Sequence, residues 1–383
     1  MLANSSTTPH LPPFLRREAE RQLPQIQEAV ARVVRSGRFL FGDELSAFER
    51  EMAAMHGGGE LRCAACGSGT EAIELALRAL GVGAGGRVVT QSHSSPFTAL
   101  AIWAAGARPV FVDSSADDFG IDLGALERAL ADGADAVIAV HLYGQPVRIR
   151  EVAALAARHG VPLIEDCAQA QGAASEGQLV GTFGIAGCFS FYPTKNVGAL
   201  GDGGAVITRD GELDARLRRL RNGGLVAPGV HDGRGITSRL GELQAAVLRL
   251  RLAELDAGNA RRREHARAYR ADLDASCLVP AVERAGSSWA PHQFVVRHRA
   301  RDALLAGAER LGVPLQVHYP LPIHRQRGFE LDAYPLGSLP VAERLAAEVV
   351  SLPTHPEMTD DERLTVITAV NTAAASAHGG EYR

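Results

Sequence analysis

Lysine is almost missing from this chain. Of 40 basic residues in 383, one is a lysine, Lys195, and all the others are arginine. Chemistry that needs a neutral side-chain amine therefore has a single candidate, because arginine stays charged and forms no Schiff base with a carbonyl. Net charge is also scarce, at −4, with acidic and basic residues interspersed, which argues against a nucleic-acid partner and against a membrane surface. The one basic run, Arg216-Leu-Arg-Arg-Leu-Arg221, spaces Leu213, Leu217 and Leu220 along one helical face and reads as a solvated face, not as a phosphate patch. No apolar stretch is long enough to span a bilayer, and the N-terminus lacks the basic-then-apolar order of a secretory signal, so a cytoplasmic protein is expected. Cysteines number five, an odd count, and most lie in apolar runs, which excludes a disulfide framework. Cys63 and Cys66 form a Cys-x-x-Cys pair, but two further ligands at zinc spacing are absent and no metal is expected.

What the chain does contain is apolar residues, 46% of the total, at a mean hydropathy near zero. That describes a globular protein with a large core and more than one domain. Residues 1 to about 15 are polar and proline-rich and read as a mobile arm. Helical periodicity is expected over 23–34, and again over 43–55 with Leu45, Phe48 and Met52 on one face. From Leu61 onward apolar runs alternate with helical segments: Arg87-Val-Val-Thr90, Arg108-Pro-Val-Phe-Val-Asp113, Asp135-Ala-Val-Ile-Ala-Val-His141 and Val161-Pro-Leu-Ile-Glu-Asp166. This pattern predicts an α/β fold, a large domain with a mostly parallel sheet between helices, followed by a smaller C-terminal α/β domain. The division is expected at 1–245 and 246–383. The second part opens on a long helical stretch, 240–273, with a break expected near Gly258. Strand signals follow at Gln293-Phe-Val-Val-Arg297 and Pro314-Leu-Gln-Val-His-Tyr319, and a last helix over 360–373.

In parallel sheets ligands gather at the carboxyl ends of the strands. Lys195 stands on a turn between the apolar runs Gly187-Cys-Phe-Ser-Phe-Tyr192 and Gly203-Gly-Ala-Val-Ile-Thr208, where desolvation lowers a lysine's pKa. Asp166 ends a strand, followed by Gln169; it either caps the next turn or holds the proton of a pyridine nitrogen. Cys66-Gly-Ser-Gly-Thr-Glu71 precedes a helix. Ser68 and Glu71 there satisfy a capping box, and the same helix start offers free amides to a phosphate. The stretch Gly81-Val-Gly-Ala-Gly-Gly86 matches a dinucleotide-binding spacing but lies between a helix and a strand, the reverse of the order that mechanism requires.

Together these segments resemble the sugar aminotransferases of the DegT/DnrJ/EryC1/StrS family, pyridoxal-phosphate enzymes with the fold of aspartate aminotransferase. The resemblance covers about 39–370. It rests most on Gly67-Ser-Gly-Thr70, His141-Leu-Tyr-Gly-Gln-Pro146, Glu165-Asp-Cys-Ala-Gln-Ala170, Phe189-Ser-Phe-Tyr-Pro-Thr-Lys-Asn196, Gly201-Asp-Gly-Gly204, Ser238-Arg239 with Glu242-Leu-Gln-Ala-Ala246, and Val317-His-Tyr-Pro320.

The resemblance implies that Lys195 carries pyridoxal phosphate covalently and that Asp166 pairs with its ring nitrogen. It places Gln169 at the ring hydroxyl, and Ser68, Gly69, Thr70 and Ser190 around the phosphate. His93 falls where family members set a side chain over the ring, and also reads as a loop histidine with a local hydrogen bond. Tyr192, Arg239, His318, Tyr319 and His324 are the implied substrate residues, the histidines being equally compatible with structural roles. An amino acid, expected to be glutamate, would donate the amine, and a nucleotide-linked keto sugar would accept it. The run Ser92-His-Ser-Ser-Pro-Phe-Thr98 points to a 3-keto-6-deoxyhexose, with a 4-keto isomer or a keto-cyclitol as alternatives. A homodimer with shared sites is implied as well. Departures from the family pattern are Thr237 in place of a frequent asparagine before Ser238-Arg239, Gly241 in place of aspartate, and Gly223 in place of an aromatic residue. Retention of Lys195 argues against the members that dehydrate sugars with a histidine at this position. A non-catalytic, cofactor-binding regulator is the remaining alternative.

Overall fold

A computed structural model describes residues 13–276, 278–329 and 333–378. The expected N-terminal arm lies mainly outside them, as does Cys277. In chain order, helices α1 (Pro13–Ser36) and α2 (Asp43–Met55) precede strand β1 (Arg62–Cys66), α3 (Gly69–Ala79), β2 (Arg87–Gln91), α4 (Pro96–Ala104) and β3 (Arg108–Val112). Next come α5 (Leu123–Ala131), β4 (Ala136–Val140), α6 (Ile149–Arg158) and β5 (Leu163–Asp166), then a short hairpin of β6 (Ala174–Ser175) and β7 (Gln178–Leu179). Strands β8 (Ala186–Ser190) and β9 (Gly204–Thr208), helix α7 (Gly211–Leu220) and the long helix α8 (Glu242–Asp272) complete this part.

Seven of these strands form one sheet in the order β1-β9-β8-β5-β4-β2-β3. The five from β8 to β3 run parallel, while β9 is antiparallel to both β8 and β1. β4 is buried along its whole length, Ala136 to Val140, as expected of a central parallel strand covered by helices on both faces. The mostly parallel α/β architecture expected from the alternating pattern is therefore present. All five parallel strands end at the same edge of the sheet. A second, smaller core lies downstream, where strands Phe294–Arg297 and Val349–Leu352 pair antiparallel and Tyr269, Phe294, Leu304 and Val370 are buried together.

Three local expectations differ from the structure. The first helix begins at Pro13, a full ten residues before the expected start at Leu23, and carries Pro24 inside it. Its early turns are held by distant partners: Arg17 to Glu362 at 2.6 Å, Arg21 to Glu254 at 2.8 Å and to Glu357 at 2.9 Å, and Phe14 stacked on His355. α8 is unbroken at Gly258, where an added Cβ would come no closer than 3.6 Å, to Pro356. The run 314–319 makes no strand, only a single bridge from Gln316 to Ser351, because Pro314 lacks an N–H and Tyr319 adopts a φ of +63°. The glycine stretch 81–86 is a turn from α3 into β2, with Gly81 and Gly85 at φ of +77° and +81°.

Candidate functional site

Asp166 is the last residue of β5 and Ser190 the last of β8, adjacent parallel strands. The 191–203 connection that follows β8 turns back at once, the Lys195 N–H donating to the Tyr192 carbonyl at 2.8 Å, and this folds Lys195 over the strand ends. Burial lowers the Lys195 ammonium to about 8, a shift that the charge of Asp166 partly opposes. Burial likewise raises Asp166, against the pull of the Thr98 hydroxyl, the Ala168 amide, Lys195 and His141. Thr98 donates to Oδ2 at 2.8 Å and the Ala168 N–H to Oδ1 at 3.1 Å. A carboxylate offers about four acceptor positions, so two donors leave Asp166 able to take another.

Because the lysine pKa is lowered, its neutral, nucleophilic form grows as pH rises through about 8, some two units before an ordinary lysine. With one lysine in the chain, labelling of the cofactor-free protein by trinitrobenzenesulfonate and mass analysis of the Lys195 peptide reads that amine alone. The labelling rate should rise about tenfold per pH unit below 8 and level off near pH 9. A midpoint near 10.5 would show an ordinary solvated lysine.

Beside this pair, α3 opens on Gly69 and Thr70, whose amides have no preceding helical carbonyl to bond. Ser68 caps the helix, its Oγ accepting from the Glu71 N–H at 3.2 Å. The capping box is only half formed, since the Glu71 carboxylate does not return to Ser68 but takes the Ser238 hydroxyl at 2.7 Å. Ser238 Oγ in turn accepts the Gly67 N–H at 3.0 Å. A Cβ on Gly69 would come within 2.5 Å of Ser190 Cβ and 3.1 Å of its Oγ. Only glycine allows this approach, which brings the Ser190 hydroxyl against the helix N-terminus, an arrangement of donors suited to an anion.

Gln169 follows Asp166 by three residues. Its Oε1 accepts the Tyr143 N–H and its Nε2 donates to the Tyr319 hydroxyl, both at 2.6 Å, leaving one amide N–H. The two tyrosine rings stack at 6.1 Å, and both residues carry positive φ, +59° and +63°. A non-glycine residue in that region costs roughly 1–3 kcal/mol, so the surrounding structure holds this pair against strain. His93 is buried beside them, its Nε2 3.1 Å from the Tyr143 hydroxyl, and burial pushes it down to about 3, so the ring is neutral. Its Nδ1 and the neighbouring Ser94 Oγ have no partner among the described residues, and buried polar atoms of that kind signal a missing ligand or water.

The remaining candidates separate. Burial, helped by the Lys195 charge, lowers His318 to about 4, and its Nδ1 is 2.8 Å from Ser351 Oγ. Tyr192 is exposed, and Arg239 is exposed over the ring of Phe41. His324 has both ring nitrogens engaged, Nδ1 with Ser92 Oγ at 2.7 Å and Nε2 with Glu343 at 3.0 Å. It braces the 320–325 segment against the end of β2 and presents no free nitrogen. The pairings of Thr98 with Asp166, Tyr143 with Gln169 and Ser238 with Glu71 had no sequence signal, since the partners lie 26 to 167 residues apart. His141, Glu165 and Cys167 cluster within 4.8 Å, a spacing a metal could use. Glu165, however, already accepts three amide N–H groups, from Gly181, Phe183 and Gly184, and faces His141 Nε2 at 3.1 Å. Its acceptor positions are filled, and it anchors the β7–β8 connection beneath Asp166.

The family model for DegT/DnrJ/EryC1/StrS aminotransferases matches residues 21–371. The chain belongs to this family. A protein of Micromonospora megalomicea subsp. nigra named dTDP-3-amino-3,4,6-trideoxy-alpha-D-glucose transaminase is 43% identical over 365 residues, 92% of this chain and 96% of that one. A Geobacillus stearothermophilus protein named pleiotropic regulatory protein is 40% identical over 360 residues, 92% of this chain and 95% of that one. Among solved structures, S. venezuelae DesV in complex with a ketimine intermediate is similar at a TM-score of 0.91 and 41% identity, covering 94% of this chain and 97% of that chain. The protein is thus a pyridoxal-phosphate aminotransferase in fold and family. Its residues fit that cofactor: an anion cradle that a single Cβ would fill, a buried carboxylate with acceptor capacity left, a neutral buried histidine with an orphaned nitrogen, and one desolvated amine.

Proposed function

We propose that this aminotransferase moves an amino group from glutamate to a nucleotide-linked 3-keto-6-deoxyhexose in the cytoplasm. The observation that carries the reading is the placement of the only lysine, with its lowered pKa, beside a buried aspartate and an open helix N-terminus. When bound, pyridoxal phosphate supplies an electron sink for the carbon that bears the amine. The chain supplies the rest. Lys195 holds the cofactor and then, freed by the incoming amine, moves a proton as general base and acid. Asp166 keeps the ring nitrogen protonated, Gly69, Thr70 and Ser190 fix the phosphate, Gln169 meets the ring hydroxyl, and His93 covers the ring. That complete set supports catalysis over the regulatory role named for the Geobacillus relative, since binding the cofactor alone does not call for an anion that keeps its ring nitrogen protonated.

The position of amination is supported by the 43%-identical relative, whose printed name places the amine at carbon 3, and by the 92–98 stretch beside His93. Incubation with glutamate and, separately, the 3-keto nucleotide sugar, its 4-keto isomer and a keto-inositol tests it, with NMR locating the new amine. Turnover should favour the 3-keto sugar by at least about tenfold, because rotating the sugar by one ring position misplaces the reacting carbon. Efficient turnover of only the isomer or the cyclitol would refute the assignment and leave the transaminase intact.

The active unit proposed is a homodimer with shared sites. Phe39, Leu40, Phe41, Tyr192, Leu200 and Leu243 are exposed and connected: the Phe39 carbonyl accepts the Glu242 N–H, Leu200 N–H donates to Gln244, and Arg239 lies over Phe41. An apolar surface of this kind, running to the edge of the Lys195 turn, suits a second copy. Mixing the inactive variants Lys195→Ala and Arg239→Ala should restore up to about a quarter of full activity on statistical subunit exchange, if Arg239 serves the partner's site. Absence of recovery after demonstrated exchange would show that each site is complete within one chain.

A further inference from the structure

A cavity of about 540 Å³ is lined by Thr194, next to Lys195, and by His292, His318 and Arg262 of α8. Arg262 is only 5% exposed. Its hydrogen bonds among the described residues are two long ones, 3.4 Å each from one terminal nitrogen to the carbonyls of Pro291 and Thr354. Guanidinium bonds to oxygen are normally about 2.7–3.0 Å, so these contacts leave most of its five N–H donors without a strong acceptor. No carboxylate pairs with it among the described residues. The counter-charge acting on it is Glu18, and Glu18 is already approached by Arg251 at 3.8 Å and His355 at 3.9 Å. A buried cation without a counterion is costly unless a ligand provides one.

The other titratable groups on this wall do not supply the missing negative charge. Glu362 is bound by Arg17 through two bonds of 2.6 and 2.8 Å. His292, His318 and His355 are all pushed down by burial and by neighbouring cations, and are neutral near pH 7. His292 joins the two regions: its Nδ1 is 3.3 Å from Oδ1 of Asn196, the residue after Lys195, and the carbonyl of the preceding Pro291 is the one that Arg262 reaches at 3.4 Å. The cavity therefore reaches the Lys195 turn at Thr194 and carries the unpaired guanidinium of Arg262 in its wall.

We propose that this cavity is the donor subsite and that Arg262 receives the distal carboxylate of a dicarboxylic amino acid whose amine reacts at the Lys195 end. The inference rests on the transaminase reading and adds what selects the donor. One planar guanidinium among neutral histidines matches one carboxylate, which it can grip through two parallel bonds. A diphosphate would call for several cations. A carboxylate held away from the reacting carbon strengthens donor binding and orients the reacting carbon without taking part in the chemistry.

The test compares 2-oxoglutarate with 2-oxopentanoate, the same chain without the distal carboxylate, as acceptors for the aminated holoenzyme in single-turnover kinetics. The wild type should prefer 2-oxoglutarate by about 10- to 100-fold in its second-order rate constant, the range expected for a hydrogen bond to a charged group. Arg262→Met should reduce that preference to within about threefold, and Arg262→Lys should fall between. In case the methionine variant fails to fold, calorimetry on the wild-type holoenzyme gives an independent readout: glutarate should bind competitively with the donor and pentanoate at least about tenfold more weakly. Equal treatment of the two oxo acids by the wild type, or a loss in Arg262→Met as large toward the keto sugar as toward 2-oxoglutarate, would overturn the donor subsite alone. Failure of the wild type to react with any oxo acid or keto sugar would overturn the transaminase reading with it.

Discussion

Lys195→Ala should lose on the order of 10⁴-fold or more in turnover, the loss expected when one group acts both as nucleophile and as proton carrier. The size follows from what remains. No other lysine exists in the chain, and the arginines retain their charge at any working pH, so no neighbour can take over either role. Methylamine added to the alanine variant should restore part of the rate if the missing group is a primary amine, a rescue that a purely structural lysine would not show. Borohydride treatment of the wild type followed by peptide mapping should place the pyridoxyl group on the peptide containing Lys195. Near-normal turnover in Lys195→Ala, or a pyridoxyl group elsewhere, would end this assignment.

Much of this arrangement is legible from the chain because it is local. β5 reads from its apolar run, and a strand that ends on Asp166 has to deliver that residue to the carboxyl edge whatever the rest of the protein does. The start of α3 reads from Ser68, whose side chain caps Glu71 N–H in the structure. What is not legible is who meets whom across the sheet. Glu71 has the spacing of a capping-box partner, yet its carboxylate goes to Ser238, 167 residues away, because a buried hydroxyl that also accepts Gly67 N–H offers it a second structural task. The 314–319 run has the composition of a strand, but Tyr319 is drawn into a left-handed conformation by its hydrogen bond to Gln169 and its stacking on Tyr143. Both of those partners are more than 140 residues upstream. The same distance hides the N-terminal turns of α1, whose arginines find their carboxylates on α8 and beyond it. Periodicity measures a segment against itself, and these residues are placed by ion pairs and hydrogen bonds to another part of the chain.

Asp166→Asn should bind pyridoxal phosphate yet lose about 10²- to 10³-fold in turnover, as is usual when one preorganised electrostatic partner is removed. The structure supports the neutral variant's survival. Asp166 is buried, and burial raises its pKa, so removing the charge relieves a desolvation cost. The carboxamide oxygen can still accept from Thr98 or from the Ala168 amide, which now reach Oδ2 and Oδ1. What the asparagine cannot do is stabilise a proton on a pyridine nitrogen, because a neutral amide offers no anion to pair with it. The loss should therefore appear in both half-reactions and in the proton-transfer step, with little change in the affinity for the phosphate, whose proposed contacts are Gly69, Thr70 and Ser190. There is also a consequence for Lys195. Asp166 is the one charge raising its pKa, so in Asp166→Asn the amine should titrate lower still, and the labelling midpoint should move below about 8. Two readouts thus separate a catalytic aspartate from a cap. Turnover within about tenfold of normal together with an unmoved lysine midpoint would make Asp166 a structural residue.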